Sequence, residues 1–146
     1  MVVSCYQVES SSPEKALPEV WLDFDQRKKS RFKAFDSEGQ ALEVYLPHGT
    51  VLRGGMILVG DDGRRVRVNA KPQSLSEVRG DAAALLPIAY HLGNRHLPLE
   101  IETTSLRYES DHVIDDMVRH LGLVPTQIEA PFEPIDGAYK HHHHEP

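Results

Sequence analysis

Histidine is the residue whose number and placement point to chemistry. The chain has nine histidines in 146 residues, four of them contiguous at His141, His142, His143 and His144. Neutral imidazole ligates first-row divalent metals, and Ni2+, Cu2+ and Zn2+ all suit it. A flexible tract of four binds such ions without a fold to arrange it. An expression tag would look similar, but tags are commonly longer, and this run continues into Glu145-Pro146. His96 follows Gly93-Asn94-Arg95. Gly93 and Asn94 tolerate positive φ, so this stretch is expected to turn sharply and aim the next side chain as a ligand. By pattern alone His96 also fits an ordinary surface loop. One imidazole cannot hold a metal by itself, because sites need several converging ligands. A two-fold axis near the loop would supply a second copy of each. His112 stands among Glu109, Asp111, Asp115 and Asp116. Imidazole beside carboxylates can build a divalent-metal site, although a solvated helix start favours the same acidic groups. His91 and His120 each fall in a last helical turn, where a cation complements the dipole, and read as structural.

The remaining chemistry is sparse. Cys5 is the one cysteine, which excludes an internal disulfide framework and a thiolate metal cage, and it has no nucleophile-site context. P-loop, GxSxG, HExxH and Rossmann patterns do not occur. The run Arg27, Lys28, Lys29, Arg31 and Lys33 could grip phosphate but reads better as a solvated strand edge. Residues 1–99 carry 13 Lys+Arg against 12 Asp+Glu, and residues 100–146 carry 3 against 10. An acidic C-terminal third argues against a nucleic-acid partner and suits a cation. No apolar run approaches the ~20 residues of a membrane span. The first residues lack the features of a signal peptide, so a soluble cytoplasmic protein is expected.

Two kinds of pattern must position these residues. Up to about residue 70 the chain alternates: Glu19–Asp25 has strand period, with further short strands at Arg31–Phe35, Ala41–Tyr45, Met56–Val59 and Arg65–Asn69 between turn signals. That reads as a small sandwich or barrel-like module. Lys71-Pro72 reads as a linker. Beyond it come a strand at Ser74–Val78 and a helix at Ala82–Leu92, capped by Asp81 and stopped by Gly93. Strands at Leu99–Thr103 and Ser105–Glu109 lead to a second helix, from Ser110 or Asp111 to Gly122. A last strand covers Thr126–Ala130. The order β-α-β-β-α-β is the ferredoxin-like motif, so the fold class is α+β. Pro87 should kink the first helix or delay its start. That helix is apolar nearly all round, so a second surface must cover it: the N-terminal module or another copy of the chain.

The sequence resembles the UreE urease accessory proteins, a family of nickel metallochaperones. The stretches that carry the resemblance are Tyr90–Ile101 (YHLGNRHLPLEI), Leu106-Arg-Tyr108, Asp111–Met117 (DHVIDDM) and Leu121-Gly-Leu123. Pro131-Phe-Glu-Pro134 and Gly137-Ala-Tyr139 resemble the run into the family's His-containing tail. Lys29-Ser-Arg31, Leu46-Pro47, Gly49 and Leu52-Arg-Gly54 resemble its N-terminal domain. The resemblance implies a β-rich N-terminal domain over 1–71, likened to a chaperone peptide-binding domain. It implies a ferredoxin-like metal-binding and dimerisation domain over 72–135, and a flexible His-containing tail over 136–146. It implies a homodimer with His96 contributed by both chains, and a metal-binding role for His112 as in some members. The cargo it implies is Ni2+, passed to urease with the GTPase partner UreG, without turnover by the chain itself. Cu2+ and Zn2+ are expected to bind in vitro, because imidazole sites do not select nickel by affinity. Glu109 and Ser110 stand where some members have histidines, and four tail histidines are fewer than in others. Both departures imply fewer nickel ions per dimer. The alternative is a two-domain adaptor whose β-rich half holds a polypeptide and whose ferredoxin-like half merely dimerises.

Overall fold

The computed structural model describes residues 1–137, which form two compact units meeting in the sequence at Lys71 and Pro72. His141–His144 lie outside the described residues. The first unit contains β1 (Val2–Glu9), β2 (Glu19–Leu22), α1 (Phe24–Arg27), β3 (Arg31–Phe35), β4 (Ala41–Tyr45), β5 (Ile57–Gly60) and β6 (Arg65–Ala70). They make one six-stranded sheet in the order β2-β6-β5-β1-β4-β3, with β1 parallel to β4 and β2 parallel to β6. Alternation drives the register. Val3 lies opposite Leu42 and Cys5 opposite Val44, and all four are buried with Val20, Leu22, Leu58, Val66 and Val68 in one core.

Three expectations change here. The strand pattern of Glu19–Asp25 stops at Leu22, because Asp23 takes extended backbone and caps α1. Its carboxylate accepts from the Gln26 N–H (2.9 Å) while the Gln26 side chain accepts from the Asp23 N–H (3.2 Å), a reciprocal capping box. β1 was not expected at all. The basic run is not one solvated edge: Arg27 is fully buried, donating through Nε to the Leu22 carbonyl and through Nη1 to the Leu52 carbonyl, each at 3.2 Å. Arg31 lies over the Tyr45 ring, and Lys33 pairs with Glu43.

The second unit contains β7 (Pro72–Arg79), α2 (Ala82–Asn94), β8 (Glu100–Glu102), β9 (Ser105–Glu109), α3 (His112–His120) and β10 (Thr126–Pro131). The sheet order is β10-β7-β9-β8, all antiparallel. This is the expected βαββαβ order. Pro72 begins β7 opposite Pro131, so the residue read as linker is the first of a strand, where its missing N–H is tolerated. Val78, Leu106 and Tyr108 of the sheet pack with Leu85, Ile88 and Leu92 of α2 and with Ile114 and Val118 of α3.

Candidate metal centre

Asp81 begins α2 by accepting the Ala84 N–H at 2.8 Å. Leu85, Ile88 and Leu92, spaced for one helical face, are buried against the sheet. The opposite stripe carries Leu86 and Tyr90, 68% and 66% exposed. Beside it, a groove of about 250 Å³ is lined by Ala82, Leu86, Ala89, Ile101 and Thr103 among others. Pro87 neither delays nor breaks the helix. It removes one intrahelical donor, and its ring lies on the exposed side.

Gly93 does not stop the helix. Gly93 and Asn94 are both helical, and Arg95 is the cap, its N–H donating to Leu92 at 3.1 Å. The turn falls on His96 itself, the one non-glycine residue with positive φ (58°) among those described. Its N–H donates to the Gly93 carbonyl (3.0 Å), and its side chain is exposed. A left-handed residue just past a helix is usually glycine, and histidine is among the few others that adopt it. The expected sharp turn exists, but it is made by the candidate ligand rather than by the residues before it. Leu97 and Pro98 then turn inward to buried Leu99.

The last described segment docks at the start of β8. The Ile135 N–H donates to the Leu99 carbonyl (2.9 Å) and the Glu133 N–H to Glu100 Oε1 (2.9 Å). Phe132 is fully buried. Glu100 falls within the Tyr90–Ile101 stretch without being singled out, and no motif marks Ile135; Pro131 and Pro134, which keep the segment extended, are its nearest signal.

His112 is the exposed first residue of α3, and the carboxylates near it in sequence are engaged elsewhere. Asp111 is the N-cap, accepting from the Val113 and Ile114 N–H groups at 2.9 and 3.2 Å. Asp115 is buried, accepting from the Tyr108 hydroxyl at 2.5 Å and Gln127 Nε2 at 3.0 Å. Burial, then that hydrogen bond to Asp115, pushes the Tyr108 hydroxyl far above the usual phenol range. Asp116 pairs with Arg119 (2.7 Å), and Glu109 accepts from Gln73 (3.2 Å). His91 lies edge-on to the Tyr90 ring at 5.3 Å, and His120 donates through Nδ1 to the Asp116 carbonyl (3.0 Å). His96 and His112 share one end of the sheet, since α2 leads into the start of β8 and α3 follows the end of antiparallel β9. Among the described residues, no three His, Cys, Asp or Glu side chains form a group that could hold a metal ion. Any ion at His96 therefore needs ligands from outside those residues. Cys5 offers no alternative: burial, then Asp61 and Asp62, pushes its thiol up to about 11.

Comparison with known proteins agrees with this architecture. The model of the UreE urease accessory protein N-terminal domain matches residues 7–71, and that of its C-terminal domain matches residues 73–146. A protein of Methylibium petroleiphilum named urease accessory protein UreE is 54% identical over 125 residues, covering 82% of this chain and 58% of the relative. One of Paracidovorax citrulli with the same name is 50% identical over 125 residues, covering 82% and 60%. One of Acinetobacter baumannii is 42% identical over 146 residues, covering 99% and 91%. The chain thus spans somewhat under two thirds of the length of the first two relatives. Two domain matches in the right order, together with identities of 42% to 54%, establish that the chain belongs to the UreE urease accessory protein family.

Proposed function

We propose that this chain is a nickel-binding metallochaperone that delivers Ni2+ to apo-urease while its metallocentre is assembled. The observation that carries the reading is the exposed His96 imidazole at the end of α2, a lone ligand beside an unpartnered apolar face. Leu86, Tyr90 and the neighbouring groove are suited to a second copy of the same helix. Pairing two chains there turns one ligand into two. Residues 72–135 would then serve as the metal-binding and dimerisation domain, and residues 136–146 as a tail whose His141–His144 complete the coordination shell. Exchange of tail imidazoles also offers a route of release, since their departure leaves an under-coordinated ion at the interface. His112 is a secondary ligand on this reading. The β-rich unit over 1–71 meets protein partners, among them the urease assembly complex with the GTPase UreG, in the cytoplasm. The chain carries cargo and performs no turnover. Cu2+ and Zn2+ compete for the same imidazoles, and Cu2+ should bind more tightly.

Calorimetric titration with Ni2+ tests this on three full-length proteins: the natural chain, His96→Ala, and one with all four tail histidines changed to alanine. Loss of the tight site in His96→Ala, with the dimer intact by light scattering, is the expected result. Binding that ignores His96 and vanishes with the tail histidines would overturn it. Ligating histidines must be neutral, so affinity should also weaken on acidification. A protein that stays dimeric and binds no nickel tightly would be the adaptor instead.

A further inference from the structure

We propose that the open edge of β3 is a docking site for an extended acidic segment of a partner protein, which adds to the first unit's sheet as a further strand. The inference deepens the reading above that residues 1–71 meet protein partners, and it makes no use of the metal site. β3 ends the six-stranded sheet and pairs within it with β4 alone. Its register shows which backbone groups β4 takes. The Leu46 N–H donates to the Ser30 carbonyl (2.7 Å) and the Asp36 N–H to the Gln40 carbonyl (3.0 Å), so the hydrogen-bonded pairs fall on the even-numbered residues of β3. Phe32 and Ala34 therefore bond to β4. Arg31, Lys33 and Phe35 turn their N–H and C=O groups to the open side, where an added strand meets them. Beyond Phe35 the edge is closed: the Ser37 N–H donates to the Glu19 carbonyl, and the Ser37 hydroxyl accepts the Glu19 N–H. The docking stretch is thus Arg31–Phe35 itself.

The side chains of the same three residues choose the partner. All three are exposed, and each stands at the end of a row across the outer face of the sheet. Phe35, 72% exposed, follows Val2 and Ala41 in an apolar row. Lys33 follows Ser4 and Glu43. Its ammonium lies 3.5 Å from Glu43, but the side chain is 81% exposed, so it stays open to a second carboxylate. Arg31 lies over the Tyr45 ring, which stacks on Tyr6 at 5.3 Å. A groove of about 250 Å³ is lined by Arg31, Lys33, Glu43 and Tyr45 among others. The two cations outnumber Glu43, the carboxylate on this part of the face. In an antiparallel pair, opposite charges directly across from one another stabilise and like charges destabilise. Carboxylates opposite Lys33 and Arg31, with an apolar residue opposite Phe35, continue all three rows. The partner segment then reads apolar-x-acidic-x-acidic from its N-terminal side. The same charges disfavour a second copy, because antiparallel pairing of two β3 edges about their centre sets Lys33 against Lys33.

The test uses the full-length chain and a synthetic peptide, blocked at both ends, containing Phe-Thr-Glu-Thr-Glu. Amide hydrogen exchange locates the binding and calorimetry measures it. In the free chain the Phe32 and Ala34 amides should exchange slowly and those of Arg31, Lys33 and Phe35 fast; the peptide should slow these three. Arg31→Glu with Lys33→Glu should weaken binding about tenfold or more and favour a peptide with Lys in place of Glu. Lys33→Pro removes an open-side donor, which an edge strand tolerates, so it should melt close to Lys33→Ala yet bind the peptide more weakly. Equal affinity for a peptide N-methylated at both Glu amides would overturn strand addition, since charge alone would then suffice. Protection confined to other amides of residues 1–71 would overturn β3 as the site while leaving that unit a partner surface. Binding that protects no amide of residues 1–71 would overturn both. Absence of binding at millimolar peptide would overturn the β3 proposal. Ni2+ titration of the same variants, expected to be unchanged, reports on the metal reading separately.

Discussion

Replacing His96 by glycine should separate the ligand from the backbone that carries it. At φ 58° the residue sits in the left-handed region, which costs a non-glycine residue about 1–2 kcal/mol. Glycine removes that strain, but it also frees the unfolded chain, which returns about 0.4–1 kcal/mol. The ring contributes nothing to offset the gain: it is exposed, and among the described residues it makes no hydrogen bond or ion pair. The net expectation is a metal-free protein stabilised by about 0.5–1 kcal/mol, or a rise in Tm of about 2–6 °C for a unit of this size. His96→Ala keeps the Cβ and the strain, so it should melt close to the natural chain. Both variants should lose tight Ni2+ binding. The assay is thermal unfolding by circular dichroism in chelator, paired with nickel calorimetry. A glycine variant less stable than the natural chain by 1 kcal/mol or more would refute the reasoning, because the imidazole would then be tied into the fold. Equal stability of the glycine and alanine variants would refute the strain argument separately.

Other consequences follow from the same geometry. Asp111→Ala removes the acceptor for two N–H groups at the start of α3, so it should destabilise the second unit by about 1 kcal/mol in denaturant melts. Glu77 is buried, which raises its pKa, but hydrogen bonds from Arg107 and Arg79 prevail and hold it below the ordinary 4.5. A carboxyl depressed by folding stabilises above its unfolded pKa, and that contribution fades as pH falls through the folded value. Stability should therefore decline below about pH 4.5, and Glu77→Gln should flatten that part of the profile. Cys5, pushed up to about 11, should resist thiol reagents at pH 8 until the first unit unfolds.

Much of the fold follows from local chemistry that the sequence displays. Alternation in Arg31–Phe35, Ala41–Tyr45 and Ser105–Glu109 marks β3, β4 and β9 to the residue, and Asp81 and Asp111 mark both long helices by their caps. β1 escaped because its pairing is non-local. It lies between β4, to which it is parallel, and β5, and its register shifts between Cys5 and Gln7. No neighbouring turn announces such a strand. Arg27 escaped for a different reason. Its charge suggested solvent, but two backbone carbonyls 5 and 25 residues away accept its protons. A basic run is therefore not a surface patch until the partners of each member are known.

The site shows the same division between what is local and what is not. The Gly-Asn-Arg-His stretch announced a turn, and helix propensity alone would have placed it at Gly93. The helix instead runs two residues further, with Leu92 buried against the sheet on its inner face. Stopping at Gly93 would put the turn on a residue that bears no side chain. Continuing to Asn94 transfers the positive φ to His96, the residue with the imidazole. Carboxylate spacing around His112 fits either a metal site or a solvated acidic helix start, and in the fold each carboxylate has a partner: a helix start, a buried tyrosine, an arginine or a glutamine. Composition identifies groups able to ligate; only tertiary structure shows which of them are already committed. By that criterion His96 and His112, exposed at one end of the sheet, are imidazoles that no hydrogen bond, ion pair or ring contact among the described residues commits, whereas His91 lies against Tyr90 and His120 donates to the Asp116 carbonyl. On the metallochaperone reading proposed above, a site that one chain cannot complete would release its ion when either contributor withdraws.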